Sequence, residues 1–235
     1  MKKTRTAIIA VFFLLVPLTL VVGSRLPGRP YYLTSTLIVV ELLIPFLLAF
    51  EGRRPQAREL VVVAVMCALA VAGRVAIPIP NFKAIFAIVM VAGMAFGPET
   101  GFLVGAVSAL SSDFFYSQGP YTPWQMVGYG AAGLLAGCFY TGRRHLPAKP
   151  VPMAVFGFVS VLLVVGPILD TSTVFLAAPN MKLATVLSLY ASGFPVNLSQ
   201  ATATALVLLL LGRPLLDKLD RVKQKYGMTE ELHGI

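Results

Sequence analysis

Apolar runs about as long as a bilayer is thick recur along this chain, and they leave little room for any other architecture. A helix needs about 20 apolar residues to cross the hydrocarbon core, within a range of roughly 17 to 25. Such runs fall near 6–23, 33–50, 57–74, 82–96, 100–116, 123–141, 151–176 and 185–212. Only 12% of the 235 residues are charged, about half the fraction expected of a soluble domain. The pattern predicts an all-α integral membrane protein of about eight transmembrane helices. No strand-like alternation is sustained, which argues against a β-barrel. The run at 82–96 is short and reads as a tilted or partly re-entrant element. Pro and Gly mark the turns, as in Pro78-Ile79-Pro80-Asn81, Gly97-Pro98 and Gly119-Pro120.

Charge placement orients the layout. With the N-terminus inside, the inner segments carry 14 Lys and Arg and the outer segments 5, so both termini are expected in the cytoplasm of a multi-pass cell-membrane protein. The start of the chain looks like a signal peptide, with Lys2, Lys3 and Arg5 before an apolar run. No clear small-x-small cleavage site follows, and a retained first helix is expected. Three segments result: two N-terminal helices over 1–56, a six-helix core over 57–213, and a cytosolic tail over 214–235 that continues as a short helix or frays. No repeat relates the halves, so the inverted-repeat signature of many secondary transporters is missing.

The basic residues sit between apolar runs rather than on one face, which speaks against a nucleic-acid surface. Cys67 and Cys138 lie inside apolar segments and read as buried small hydrophobes, not as a disulfide framework. There is no P-loop, no HExxH, no Cys-His cluster and no GxSxG elbow. The histidines are His145, in a cytosolic loop, and His233, in the tail. Neither an enzyme nor a bound metal or cofactor is expected.

Five features point elsewhere. Ala64, Ala68 and Ala72 recur at spacing four on one helix face; small residues there suit either internal packing or docking of another subunit. Gly93, Gly97, Gly101 and Gly105 flank a break at Pro98, which reads as a tight inner hairpin, and Gly133 and Gly137 form another close-approach pair. The outer segment from Asp113 to Met126 holds Gln118, Tyr121, Trp124 and Gln125 and carries no Lys or Arg. It reads either as an aromatic belt or as a cap over a planar, largely uncharged ligand. Asn81, Lys83, Asp170, Asn180, Asn197 and Gln200 share its depth, and amides in lipid must find partners in the bundle or in a ligand. Glu41 stands mid-membrane, where a charge costs about 2.5–3.5 kcal/mol; it is protonated, paired or turned toward another helix.

From Arg58 to Gly212 the sequence resembles the S components of energy-coupling factor (ECF) vitamin transporters. The resemblance rests on Ala-Leu-Ala-Val-Ala-Gly-Arg at 68–74, Pro-Asn-Phe-Lys at 80–83, Gly-Pro-Glu-Thr-Gly-Phe-Leu-Val-Gly at 97–105 and Gly-Pro-Tyr-Thr-Pro-Trp-Gln-Met at 119–126. It is strongest toward the subgroup associated with cobalamin or its precursors; riboflavin or folate is the alternative cargo, and a stand-alone secondary transporter the alternative function. The resemblance implies a six-helix core that binds a vitamin on its outer side, a membrane coupling subunit and two cytosolic ATPase subunits. It also implies that Ala64, Ala68 and Ala72 face the coupling subunit and that the whole subunit topples to deliver its cargo. Asn81, Lys83, Asp113, Gln118, Tyr121, Trp124, Gln125, Asp170, Asn197 and Gln200 are the expected substrate-binding residues. The two N-terminal helices depart from the family pattern.

Overall fold

A computed structural model describes residues 57–141, 148–177 and 182–226, with Leu18, Thr19, Val22, Leu33, Thr36–Glu41, Leu43 and Ile44 before them. The elements are α1 (Ala57–Val75), α2 (Ile85–Phe96), α3 (Pro98–Tyr116), α4 (Thr122–Tyr140), α5 (Pro150–Ser160), α6 (Gly166–Ala177), α7 (Leu183–Val207) and α8 (Arg213–Lys225). A π-helical turn, Val161–Val165, joins α5 to α6, and a second, Leu208–Gly212, joins α7 to α8. Each π turn lies just ahead of a proline, Pro167 or Pro214. A proline ring has no N–H to give and crowds the carbonyl four residues back, so the ladder slips there without the helix ending. Among the described residues the two joined helices, Pro150–Leu176 and Leu183–Lys225, are long and apolar enough to cross a membrane. The segment after 213 continues as helix to Lys225. Most of the runs at 6–23 and 33–50, and the loop holding His145, lie outside the described residues.

The centre of the bundle is α2. Its sequence, Ile-Phe-Ala-Ile-Val-Met-Val-Ala-Gly-Met-Ala-Phe, is apolar on every side, and all 12 residues are buried. A helix apolar all round is stable only when it is surrounded. Here α1, α3, α4, α5, α7 and α8 all pack on it. Glycine lets the backbones approach. A Cβ on Gly133 would collide with the Gly101 backbone, one on Gly93 with the Gly133 carbonyl, and one on Gly137 with Pro98. The hairpin between α2 and α3 turns at Gly97, whose φ of 94° favours glycine.

The short α2 also decides where the site lies. Twelve residues rise only about 18 Å, against a hydrocarbon core about 30 Å thick. At its C-terminal end the amphipathic α8 fills the shortfall. Lys223 Nζ donates to the Ala95 carbonyl at 2.8 Å and stands over the Phe96 ring at 5.6 Å, a cation at a helix C-terminus. Arg58 of α1 reaches the Tyr226 carbonyl at 2.7 Å. At the N-terminal end of α2 the loop 76–84 fills only part of the gap. Of the N-terminal segment, Leu43 is buried against Phe102 and Ala106, with Met126, Val127 and Leu134 around them. Thr19 donates to Glu41 Oε1, and Glu41 Oε2 is buried without a hydrogen-bond partner among the described residues.

Gly133→Ala is expected to destabilise the fold by about 1–3 kcal/mol, the cost of overpacking a close seam. Thermal unfolding in detergent checks this, with Gly128→Ala as the milder control because its Cβ would meet only Leu169 and Ile168 side chains at 3.2 Å or more.

Candidate functional site: a polar cleft above the central helix

Where α2 begins, a cleft of about 590 Å³ opens. Its floor is Ile85 and Phe86 of α2. One wall is the loop, through Ile77, Pro78, Pro80, Asn81 and Lys83. Asp113 and Tyr116 of α3, Tyr121, Gln125 and Tyr129, and Gln200 of α7 complete it with Arg74 and Val75 of α1. Lys83 Nζ donates to the Ile77 carbonyl and closes the loop on itself. The Ala84 amide donates to the Gly73 carbonyl at 3.1 Å and ties the loop to α1. Asn81 holds a φ of 58°, a left-handed conformation that Asn tolerates better than most residues. Irregular backbone at this depth is stable only where it lines a cavity or is buried in protein.

Arg74 is the electrostatic centre. Its Nη1 lies 2.8 Å from Asp113 Oδ1 and also donates to Ser112 Oγ. Its Nη2 donates to Gln125 Oε1 at 3.1 Å. The guanidinium lies 4.9 Å from the Tyr116 ring centroid and 5.3 Å from that of Tyr129. The Tyr116 hydroxyl donates to the Arg74 carbonyl at 3.1 Å. Asp113 is fully buried and Arg74 is 12% exposed. The second carboxylate oxygen accepts from Thr122 Oγ1 at 2.9 Å. One buried carboxylate thus joins the end of α1 to α3 and the start of α4. Phe86 meets Tyr129 edge-on at 4.6 Å. The result is an aromatic box with an ion pair at one edge and amides around it.

Of the expected binding residues, Asn81, Lys83, Asp113, Tyr121, Gln125 and Gln200 line this cleft, and Gln200 Oε1 has no hydrogen-bond partner. Four others do not line it. Gln118 donates to the Leu110 carbonyl at 3.0 Å, closing the end of α3. Trp124 stacks on Phe175 of α6 at 5.7 Å. Asn197 donates to Asp170 at 2.7 Å, which pairs α7 with α6. Helix packing turns them away from the cleft. Asn180 lies outside the described residues. Arg74, Phe86, Tyr116 and Tyr129 were not singled out as site residues from the sequence. An Arg closing one apolar run and an Asp within another are the signal that points to Arg74, since such charges pair.

A second, apolar groove of about 690 Å³ runs between α1 and α3. Ala64, Ala68 and Ala72 line it and are exposed. Val107, Ser111 and Phe115 form the facing wall.

A family described as "ECF-type riboflavin transporter, S component" matches this chain over residues 55–217. A UPF0397 protein of Vibrio atlanticus is 29% identical over 150 residues, covering 58% of this chain and 82% of the relative. No solved structure matches.

Removing one partner of a buried ion pair typically costs about 3–5 kcal/mol, so Asp113→Ala is expected to lower the detergent melting temperature far more than Lys83→Ala. Equal melting temperatures for the two variants would show that the pair carries no such weight.

Proposed function

Since the chain belongs to the family of ECF-type riboflavin transporter S components, we propose that it captures a flavin-sized, planar vitamin at the cleft above α2 and hands it to an energised partner complex. Such S components work with an ECF module of a T subunit and ATPase subunits. The family is a transporter component, not an enzyme class.

The observation that carries the ligand reading is the cleft itself: about 590 Å³, bounded by Phe86, Tyr116, Tyr121 and Tyr129. Rings of this kind suit the faces of a tricyclic heteroaromatic, and amides suit its polar edge. Asn81, Gln125 and Gln200 supply both donors and acceptors. A corrinoid carries a macrocycle and a nucleotide arm, and much of that bulk would stand outside an open cleft of about 590 Å³. The cleft therefore favours riboflavin or a relative over the cobalamin subgroup that the sequence motifs suggested.

Residues 57–213 form the binding core in this reading, with the cleft facing outside and both termini in the cytoplasm. The Ala64, Ala68 and Ala72 groove receives a helix of the membrane coupling subunit. Small side chains allow close approach, which drives helix association in lipid. Two cytosolic ATPases complete the importer. The described part of the N-terminal segment, at Leu43, packs on Phe102 and Ala106 rather than on the groove-lining Val107 and Ser111, so that contact leaves the groove free.

Equilibrium titration of the detergent-purified chain with riboflavin, folate and cobalamin tests the assignment. Riboflavin is expected to bind, and Gln125→Ala to weaken it by about ten-fold, the effect of one lost hydrogen bond of about 1.4 kcal/mol. Cobalamin as the only ligand bound would overturn the flavin reading. Proteoliposomes holding this chain alone are expected to take up no vitamin, and gradient-driven uptake by the chain alone would mark a secondary transporter instead. Ala64→Leu with Ala68→Leu is expected to abolish assembly with the coupling subunit while binding persists, read by co-purification.

A further inference from the structure

The cleft above α2 carries more positive charge than its own carboxylate answers. Among the described residues that line it, the ionised groups are Arg74, Lys83 and Asp113, two cations against one anion. Asp113 is fully engaged: Arg74 Nη1 lies 2.8 Å from its first oxygen, and Thr122 Oγ1 donates to its second at 2.9 Å. Arg74 is engaged too. Its nitrogens serve Asp113, Ser112 and Gln125, and the rings of Tyr116 and Tyr129 stand beside it. Lys83 is different. Its Nζ donates to the neutral Ile77 carbonyl, and no carboxylate of a described residue pairs with it. An ammonium has three donors, so two remain.

A cation among apolar walls with its charge unanswered is costly to hold, yet the loop holds it. Pro78 and Pro80 restrict the backbone before it, and the Ala84 amide, next in the chain, is tied to the Gly73 carbonyl at 3.1 Å. Closing a loop on a carbonyl needs a donor but not a charge; a neutral amide would serve. The charge is therefore left for something that enters the cleft. The α7 wall asks for the opposite partner, since Gln200 Oε1 is buried and has no donor.

We propose that Lys83 selects a planar heteroaromatic ligand that carries an acidic group, a carboxylate or a phosphate, over its neutral counterpart. This rests on the assignment of the cleft as the ligand site, and adds the charge of the ligand and the residue that reads it. The ring lies among Phe86 and the tyrosines, the anion meets the Lys83 ammonium, and an N–H or O–H of the ligand fills Gln200 Oε1. A hydrogen bond between ions is roughly twice as strong as one between neutral groups, and it gains further where water is excluded. A cleft of net positive charge also draws anions toward its mouth. Arg74 cannot take this part, because leaving Asp113 would strand a buried carboxylate. Lysine suits either acid, being a compact point charge rather than a planar fork.

Matched ligands that differ in one acidic group test the assignment on the detergent-purified full chain. The pairs are riboflavin and flavin mononucleotide, pyridoxine and its phosphate ester, and nicotinamide and nicotinate. Within a pair that binds, the acidic member is expected to bind about ten-fold tighter or more, with the preference shrinking as salt is raised. The first two pairs report on phosphate and the third on carboxylate. Lys83→Met is expected to remove the preference and Lys83→Arg to retain it; Lys83→Gln replaces the first variant should it fail to elute as a folded species. Equal affinities within every pair that binds, tighter binding of the neutral members, no binding by any acidic member, or a preference that survives loss of the Lys83 charge overturns the proposal. Nicotinate held over nicotinamide while neither flavin binds would sink the flavin assignment and leave the charge selection standing. Riboflavin held more tightly than its phosphate would do the reverse.

Discussion

A fully buried carboxylate inside an apolar bundle is tolerable only with its charge answered and its lone pairs filled, and Asp113 meets both conditions. Arg74 answers the charge; Thr122 takes the second oxygen. Desolvating two ions is costly, and such a pair is poor evidence of net stability. Its value is positional. The guanidinium is a rigid fork of donors, so the Arg74 head reaches Asp113 and Ser112 with one nitrogen and Gln125 with another. Three helices meet at a point, and the cleft takes its polar edge from that point.

The cleft itself follows from a shortage of helix. A central helix of 12 residues cannot fill a bilayer, and the two ends resolve the deficit differently. The C-terminal end is closed by protein, with Lys223 satisfying a terminal carbonyl of α2. The N-terminal end is left to a loop whose backbone is held by Lys83 and Gly73. What the loop does not fill is the cavity. The glycine seam makes the arrangement possible, because α2, α3 and α4 approach so closely that no side chain separates their backbones at Gly93, Gly101 and Gly133.

Much of this was legible in the sequence, for a physical reason. Burial in lipid demands apolar length, and Pro and Gly end it, so runs expected at 57–74 and 123–141 appear as Ala57–Val75 and Thr122–Tyr140. The Gly97–Gly101 hairpin was legible for the same reason. What could not be read is azimuth. Whether a residue faces the cleft or a neighbouring helix depends on how the helices rotate and cross, which packing decides. Asp170 and Asn197 satisfy each other across α6 and α7, and Trp124 is spent on Phe175. Arg74 escaped for the opposite reason. An Arg at the end of an apolar run reads as a topology signal, and its partner is 39 residues away in sequence.

The unequal anchoring of the helices determines where a disturbance at the cleft goes. The floor of the cleft is α2, buried throughout and pinned at its far end by Lys223, so it cannot yield without opening the seam. The third and fourth helices share that seam and are locked to it by glycine contacts that admit no slack. The remaining wall is α1, mostly exposed, fastened at its C-terminal end by Arg74 and Tyr116. A disturbance of the Arg74–Gln125 contact therefore falls on α1 first. The same helix carries Ala64, Ala68 and Ala72 on its outer face. Cleft and groove thus share α1 as a wall, and α1 is the least buried helix of the four around them.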